Sequence, residues 1–216
     1  MLLQIQDLLR HLHPQPKRLI VGVSGGADSV CLALILKKLG YEIILAHLNH
    51  GLRGEASDED AKFVRRFAQK LRVPCVTEET VIPRESNLEA QARKVRYAFL
   101  EDVRKRMRAD FIAVAHHQDD QVETILMNLV RGAALRGTSG LWFKRGLILR
   151  PLLRVNKKEI LEFLHEQDQP FRHDESNDNL RFLRNRLRHS IIPTLSREIP
   201  HFKENILECS RQAKKE

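Results

Sequence analysis

The chain has 216 residues, of which 42% are hydrophobic and 30% charged, with a formal net charge of +9. That length suits one α/β domain with a small helical appendage; no apolar run can span a bilayer, and Cys31, Cys75 and Cys209 are too scattered for a disulfide framework or zinc site. The basic balance favours a polyanionic partner, most simply nucleic acid, and the low aromatic content points to Lys and Arg contacts with phosphate rather than base stacking.

In chain order, Met1 to His13 reads as an amphipathic helix. It lacks the basic start and cleavage site of a signal peptide, so the expected address is the cytoplasm. The first predicted strand, Leu19–Val23, runs into Ser24-Gly25-Gly26-Ala27-Asp28-Ser29. A helix over Asp28–Leu39 follows, apolar on nearly all sides and therefore expected to be buried. A strand, a glycine turn and a helix start present backbone N–H groups at the positive end of a helix dipole, a site for phosphate. The glycines let the backbone approach the anion, and Ser24 and Ser29 can add hydroxyl donors. Asp28 would repel a bare phosphate; it makes sense with magnesium between carboxylate and phosphate oxygens. The loop is neither a Walker A loop nor a G-x-G-x-x-G fingerprint.

Further strands are predicted at Glu42–Ala46, Cys75–Thr77 and Phe111–Ala115, with helices at Ser57–Leu71, Asn87–Met107 and Asp119–Val130. Strands alternating with helices predict an α/β fold with a doubly wound, mostly parallel sheet. Ligands of such sheets bind beyond the carboxyl ends of the strands, so three segments should converge: Ser24–Ser29, His47 to His50, and Ala115 to Asp120. His47, Asn49, His50 and Arg53 suit a nucleotide, or equally a polar loop whose histidines cap backbone groups. In His116-His117-Gln118-Asp119-Asp120, zinc spacing is absent. Asp119 can cap a helix or hold magnesium. Glu89, Arg93, Arg96 and Tyr97 share much of one helical face, either as a solvated Glu–Arg pair or as charge stabilisers at a reaction centre.

Beyond Gly132 the chain is loop-rich up to Arg150-Pro151-Leu152-Leu153. Asn156 then caps a helix through Gln167. Asp174 to Glu216 is mostly helical, with Pro193 and Pro200 as breaks. Arg181, Arg184 and Arg188 form a cationic stripe with no acid among them, suited to an RNA backbone or to a solvated face. The expected division is an α/β domain over 1–150 and a mostly helical extension over 151–216.

The Ser24–Ser29 loop resembles the PP-loop of the N-type ATP pyrophosphatases, which cleave ATP between the α- and β-phosphates. Together with His47-Leu48-Asn49-His50-Gly51-Leu52-Arg53, the Glu89–Tyr97 helix, Ala115 to Thr124, Arg150 to Leu153, and Arg184-Asn185 with Arg188, the ordered set is similar to the N-terminal catalytic domain of bacterial tRNA(Ile)-lysidine synthetases. Many members of that family carry further C-terminal domains; this sequence stops at Glu216. The resemblance implies ATP-dependent adenylation of a wobble cytidine, then attack by lysine. It implies ATP on Ser24, Gly25, Gly26, Ala27, Asp28, Ser29, His47, Asn49, His50 and His116, with magnesium on Asp28 and Asp119. Arg96, and secondarily Arg93, would stabilise charge, while Arg181, Arg184 and Arg188 would touch tRNA. The implied partners are an isoleucine tRNA with a CAU anticodon and free lysine, with no membrane and a homodimer as one assembly. A PP-loop tRNA thiolase and a non-catalytic nucleotide- or RNA-binding module are the competing expectations; thiolases commonly use cysteines, which here have no useful spacing.

Overall fold

Pleating sends successive strand side chains to opposite faces of a sheet; here both faces are apolar, so the sheet has to be covered twice. The computed structural model describes residues 1–49, 55–80, 88–133, 138–172 and 182–214. Its strands are β1 Arg18–Gly22, β2 Glu42–Asn49, β3 Cys75–Glu79, β4 Phe111–Ala113, β5 Lys144–Arg145 and β6 Ile148–Leu149. They form one sheet in the order β3-β2-β1-β4-β6-β5, parallel except for the β5–β6 hairpin. The helices are α1 Leu2–Arg10, α2 Ala27–Lys38, α3 Glu55–Leu71, α4 Leu88–Arg106, α5 Gln118–Val130, α6 Lys157–Glu166, α7 Leu183–Arg186, α8 Ile192–Glu198 and α9 Phe202–Gln212. A π-helical turn, Leu187–Ile191, joins α7 to α8.

Leu19 and Val21 of β1, with Ile43, Leu45, Phe111 and Ala113 beside them, face a core shared with α1, α2, α3 and α6. Ile20, Ile44, Ala46 and Ile112 face the other way, onto Phe99, Leu100 and Val103 of α4. The expected doubly wound, mostly parallel sheet is therefore present. In α2 every residue from Ser29 to Leu36 is buried. Each large aliphatic buried there contributes about 1.5–3 kcal/mol, far more than the helix-propensity deficit of Val and Ile, below about 0.7 kcal/mol.

Leu152, Val155, Ile160, Phe163 and Leu164 belong to the same core as β1 and α2. The chain just past residue 150 thus completes the α/β core instead of opening a new one. From α7 onward the packing changes: Val122 of α5 clusters with Leu187 and Ile192. Pro193 does not break the helical course. It lies in the first turn of α8, where a missing N–H costs little. The β5–β6 hairpin lies in the stretch read as loop, because two-residue strands are too short to show a period of two. Gly146, at φ +59°, supplies the left-handed first position of its two-residue turn.

β1 lies between β2 and β4. The crossover from β1 to β2 runs through α2 on one face, and that from β3 to β4 runs through α4 on the other. The strand order therefore reverses between β1 and β4, the topological position at which sheets of this kind take their ligands.

Candidate active site

At the exit of β1, Gly25 adopts φ +95°, a conformation closed to side chains without strain. Its carbonyl accepts a hydrogen bond from the Arg172 N–H at 2.9 Å, and Gly26 forms an isolated parallel bridge with Arg172. The Arg172 Nε in turn donates to the buried Asp60 carboxylate of α3 at 3.0 Å. The turn is thus strapped from outside by a residue 147 positions away in sequence, outside the reach of any local pattern. The Ser24 and Ser29 hydroxyls work mainly within the loop rather than as free donors. Ser29 Oγ donates to the Gly26 carbonyl at 2.9 Å and accepts from the Ser24 N–H at 3.2 Å. What remains for an anion is the open end of α2, whose first-turn amides have no partner within the helix. Gly25→Ala is expected to cost about 1–3 kcal/mol in backbone strain and to weaken ATP binding in parallel. Thermal melts and nucleotide titration check this; an alanine variant matching the parent in both would show that the turn does not need glycine.

β2 runs three residues further than expected, because His47, Leu48 and Asn49 pair with Thr77, Glu78 and Glu79 of β3. The His47 ring bonds to the Val23 carbonyl at 2.9 Å, directly before the loop, and the Asn49 amide donates to Asp58 of α3 at 3.1 Å. Both side chains are buried, one tying β2 to the end of β1 and the other tying it to α3. His50, Arg53 and Arg181 lie outside the described residues, as does the side chain of Glu89.

The β4 exit delivers the second half of the site. His117 caps α5, with its N–H donating to Asp120 Oδ2 at 2.9 Å. Its ring lies among three carboxylates, with Nε2 3.6 Å from both Asp28 and Asp120 and Nδ1 3.7 Å from Asp119. The expected convergence of the β1 and β4 exits is thereby visible in side-chain contacts. Asp28 and Asp119 also receive lysines from distant segments. Lys157 Nζ lies 2.5 Å from Asp28 Oδ1 and Lys203 Nζ lies 2.5 Å from Asp119 Oδ1. Neither lysine was legible as a site residue, since only the tertiary fold brings it there. The carboxyl of Asp119 is pulled below its ordinary value: burial opposes ionisation, but Lys203, the Lys157 N–H and His117 outweigh it.

Two partly exposed carboxylates, each satisfied by a displaceable ammonium group, fit a magnesium ion. Magnesium keeps most of its water and binds through one or two carboxylates plus substrate phosphates. Among the described residues no group of three or more His, Cys, Asp or Glu is placed to hold a metal ion.

Contrary to the expectation from the sequence, Arg184 and Arg188 have counter-ions, supplied by α5. Arg184 donates to Glu123 at 2.6 Å and to Asp120 at 2.7 Å. Arg188 donates to Glu123 at 2.6 and 3.0 Å and to Asp120 at 3.2 Å. The acids come from α5, three residues apart and so on one helical face, and they hold α7 against it. Arg93 and Arg96 are exposed on α4, flanking the Tyr97 ring at 5.0 and 5.8 Å. The charge of Arg93 is felt at His116 and at the buried Arg150, which makes Arg93 the more closely coupled of the pair to this end of the sheet.

Burial pushes the His116 imidazole down from 6.5 to about 3; Asp120 opposes the shift, and Arg150, Arg93 and Arg184 reinforce it. For Asp120, burial favours the neutral acid, but His117, Arg184 and His116 together hold the carboxyl down at about 2. Both shifts make acid destabilising. A histidine whose folded pKa is lowered stays neutral while the unfolded chain takes up a proton, so stability falls as pH drops from 6.5 towards about 3. The contribution of Asp120 is complete above 3.8 and is lost as pH falls through about 2. His116→Asn should therefore flatten the urea-midpoint profile between about pH 6.5 and pH 5. A variant profile parallel to the parent's would remove His116 as its source.

Thiol chemistry has little footing at this site. Cys31 is buried in α2, and burial pushes its thiol up to about 12. Cys75 opens β3, and Cys209 is exposed on α9.

Comparison with known proteins agrees with this geometry. A tRNA(Ile)-lysidine synthase of Porphyromonas gingivalis is 42% identical over 205 residues, covering 92% of this chain and 45% of the relative. One of Geobacter sulfurreducens is 44% identical over 193 residues, covering 85% of this chain and 41% of the relative. The chain therefore spans less than half the length of these relatives. Among solved structures, the U34-tRNA thiolase NcsA from Methanococcus maripaludis superposes with a TM-score of 0.79 at 17% identity, over 98% of this chain and 76% of that one. At that identity the likeness speaks for the fold alone. The family profile of the PP-loop domain matches residues 1–195, the span that holds both strand exits and their bridging lysine, so the chain belongs to the PP-loop domain family.

Proposed function

We propose that this domain uses ATP to activate the wobble cytidine of an isoleucine tRNA with a CAU anticodon and then joins free lysine to it, giving lysidine, AMP and pyrophosphate. The observation that carries the ATP half is the convergence of Asp28, His117 and Asp119 at the switch point, beside the open amino end of α2. The RNA half rests on relatives that carry this activity in their names and align over 85–92% of the chain.

Activation is needed because a ring carbonyl oxygen is a poor leaving group until it is phosphorylated. The 2-oxo oxygen attacks the α-phosphorus, the α–β bond breaks, and pyrophosphate leaves with its electrons. The lysine amine then attacks C2, AMP departs, and the amine proton is lost to solvent. Asp28 and Asp119 would hold magnesium, which when bound screens the phosphate charge. The amides of α2 orient the phosphates. His117, in contact with both carboxylates, keeps them aimed. Arg93 and Arg96 stand exposed to meet phosphate charge from nucleotide or RNA. Arg93, exposed on α4, is a candidate for RNA contact.

Incubation with ATP, radiolabelled lysine and isoleucine tRNA tests the reading. Lysine incorporated into the tRNA supports it. ATP–pyrophosphate exchange that ignores tRNA, or incorporation of sulfur instead, would sink it.

A further inference from the structure

Lys157 stands where a cation is electrostatically misplaced. It is the first residue of α6, whose start is fixed by a reciprocal cap between Asn156 and Glu159, with both bonds at 2.9 Å. Acids, not lysines, are favoured at a helix amino end. The position is more adverse still because α6 runs parallel to α2. Asp28 and Lys157 meet at their amino ends, while Lys38 meets Gln167 at their carboxyl ends and lies over the Phe163 ring. Two helix amino ends and an ammonium group therefore share one corner of the site. The Lys157 N–H is also spent there, on Asp119 Oδ2 at 3.0 Å. A single residue touches both carboxylates assigned to the metal, one with its side chain and one with its backbone. For stability alone this is a poor arrangement; for a polyanion arriving between the helices it is a good one.

We propose that Lys157 is a phosphate-binding residue: its ammonium group, which pairs with Asp28 in this structure, transfers to the β- and γ-phosphates when nucleotide enters. The side chain is 41% exposed, which leaves it room to turn. Asp28 is then released to face the cation that accompanies the phosphates, so charge stays balanced at both stages. The inference rests on the reading that this loop takes ATP, and it adds the end of the ligand that Lys157 grips.

The test is calorimetric titration of the whole chain with pyrophosphate plus magnesium, and separately with AMP, for the parent, Lys157→Met and Lys157→Arg. Losing a charge-assisted contact should weaken pyrophosphate binding by about tenfold or more in Lys157→Met. AMP, which lacks the outer phosphates, should bind as in the parent, and Lys157→Arg should restore most of the pyrophosphate affinity. Unchanged pyrophosphate affinity in Lys157→Met overturns the proposal. So does an equal loss for AMP and pyrophosphate, since that marks general distortion. A parent that binds neither ligand overturns the ATP reading itself, and the role of Lys157 with it.

Discussion

Asp28→Ala should abolish pyrophosphate release, with a loss of at least about a hundredfold, while the protein keeps its fold. The two effects separate because Asp28 has little to do for stability. It lies in the first turn of α2, where an acid contributes about 0.3–1 kcal/mol through the helix dipole. Its side chain is 31% exposed and that of Lys157 41%, so solvent screening holds their ion pair to at most about 1 kcal/mol. At the candidate site the same carboxylate is the point where the β1 exit meets His117 and Lys157. Asp28→Asn keeps the shape, removes the charge, and should fail as the alanine variant does. Measuring tRNA-dependent ATP–pyrophosphate exchange beside thermal melts separates the two effects. Parent-like exchange in either variant would remove Asp28 from the metal site.

The largest stability effect is expected at Glu123→Gln. This carboxylate is 1% exposed and is held by two arginines. Removing its charge leaves Arg184 and Arg188 beside a neutral buried amide, with Asp120 still facing both. Breaking a buried ion pair costs about 3–5 kcal/mol. The arginines are 24% and 32% exposed, so solvent can relieve part of that, which places the expected value near the lower bound. Because the network pins α7 to α5, hydrogen exchange should rise first in α7 to α9. Urea denaturation and amide exchange measure both effects. If Glu123→Gln unfolds within about 0.5 kcal/mol of the parent, the network is an ordinary surface cluster.

The local features were legible because their causes are local. The apolar run before Ser24, the glycine pair and the buried pattern of Val30–Leu36 act within a few residues, and they placed β1, the loop and α2 within a residue or so. His117-Gln118-Asp119-Asp120 signalled a strand-to-helix junction for the same reason, and α5 starts there. Features with distant causes are not legible in the local sequence. His47 and Asn49 were expected past the strand, but pairing with β3 keeps the chain extended to Asn49. The arginine stripe was judged by its sequence neighbours, whereas its acids come from α5, 61 to 68 positions away.

The sequence by itself determined the layered α/β fold and the glycine turn at the exit of β1, since periodicity, glycine conformation and helix-end amides belong to short segments. Tertiary structure alone decided which charge faces which. Lys157 and Asp28 are 129 residues apart, and Lys203 and Asp119 are 84 apart. Coulomb attraction depends on distance in space, and that distance exists only once the sheet has brought β1 and β4 side by side.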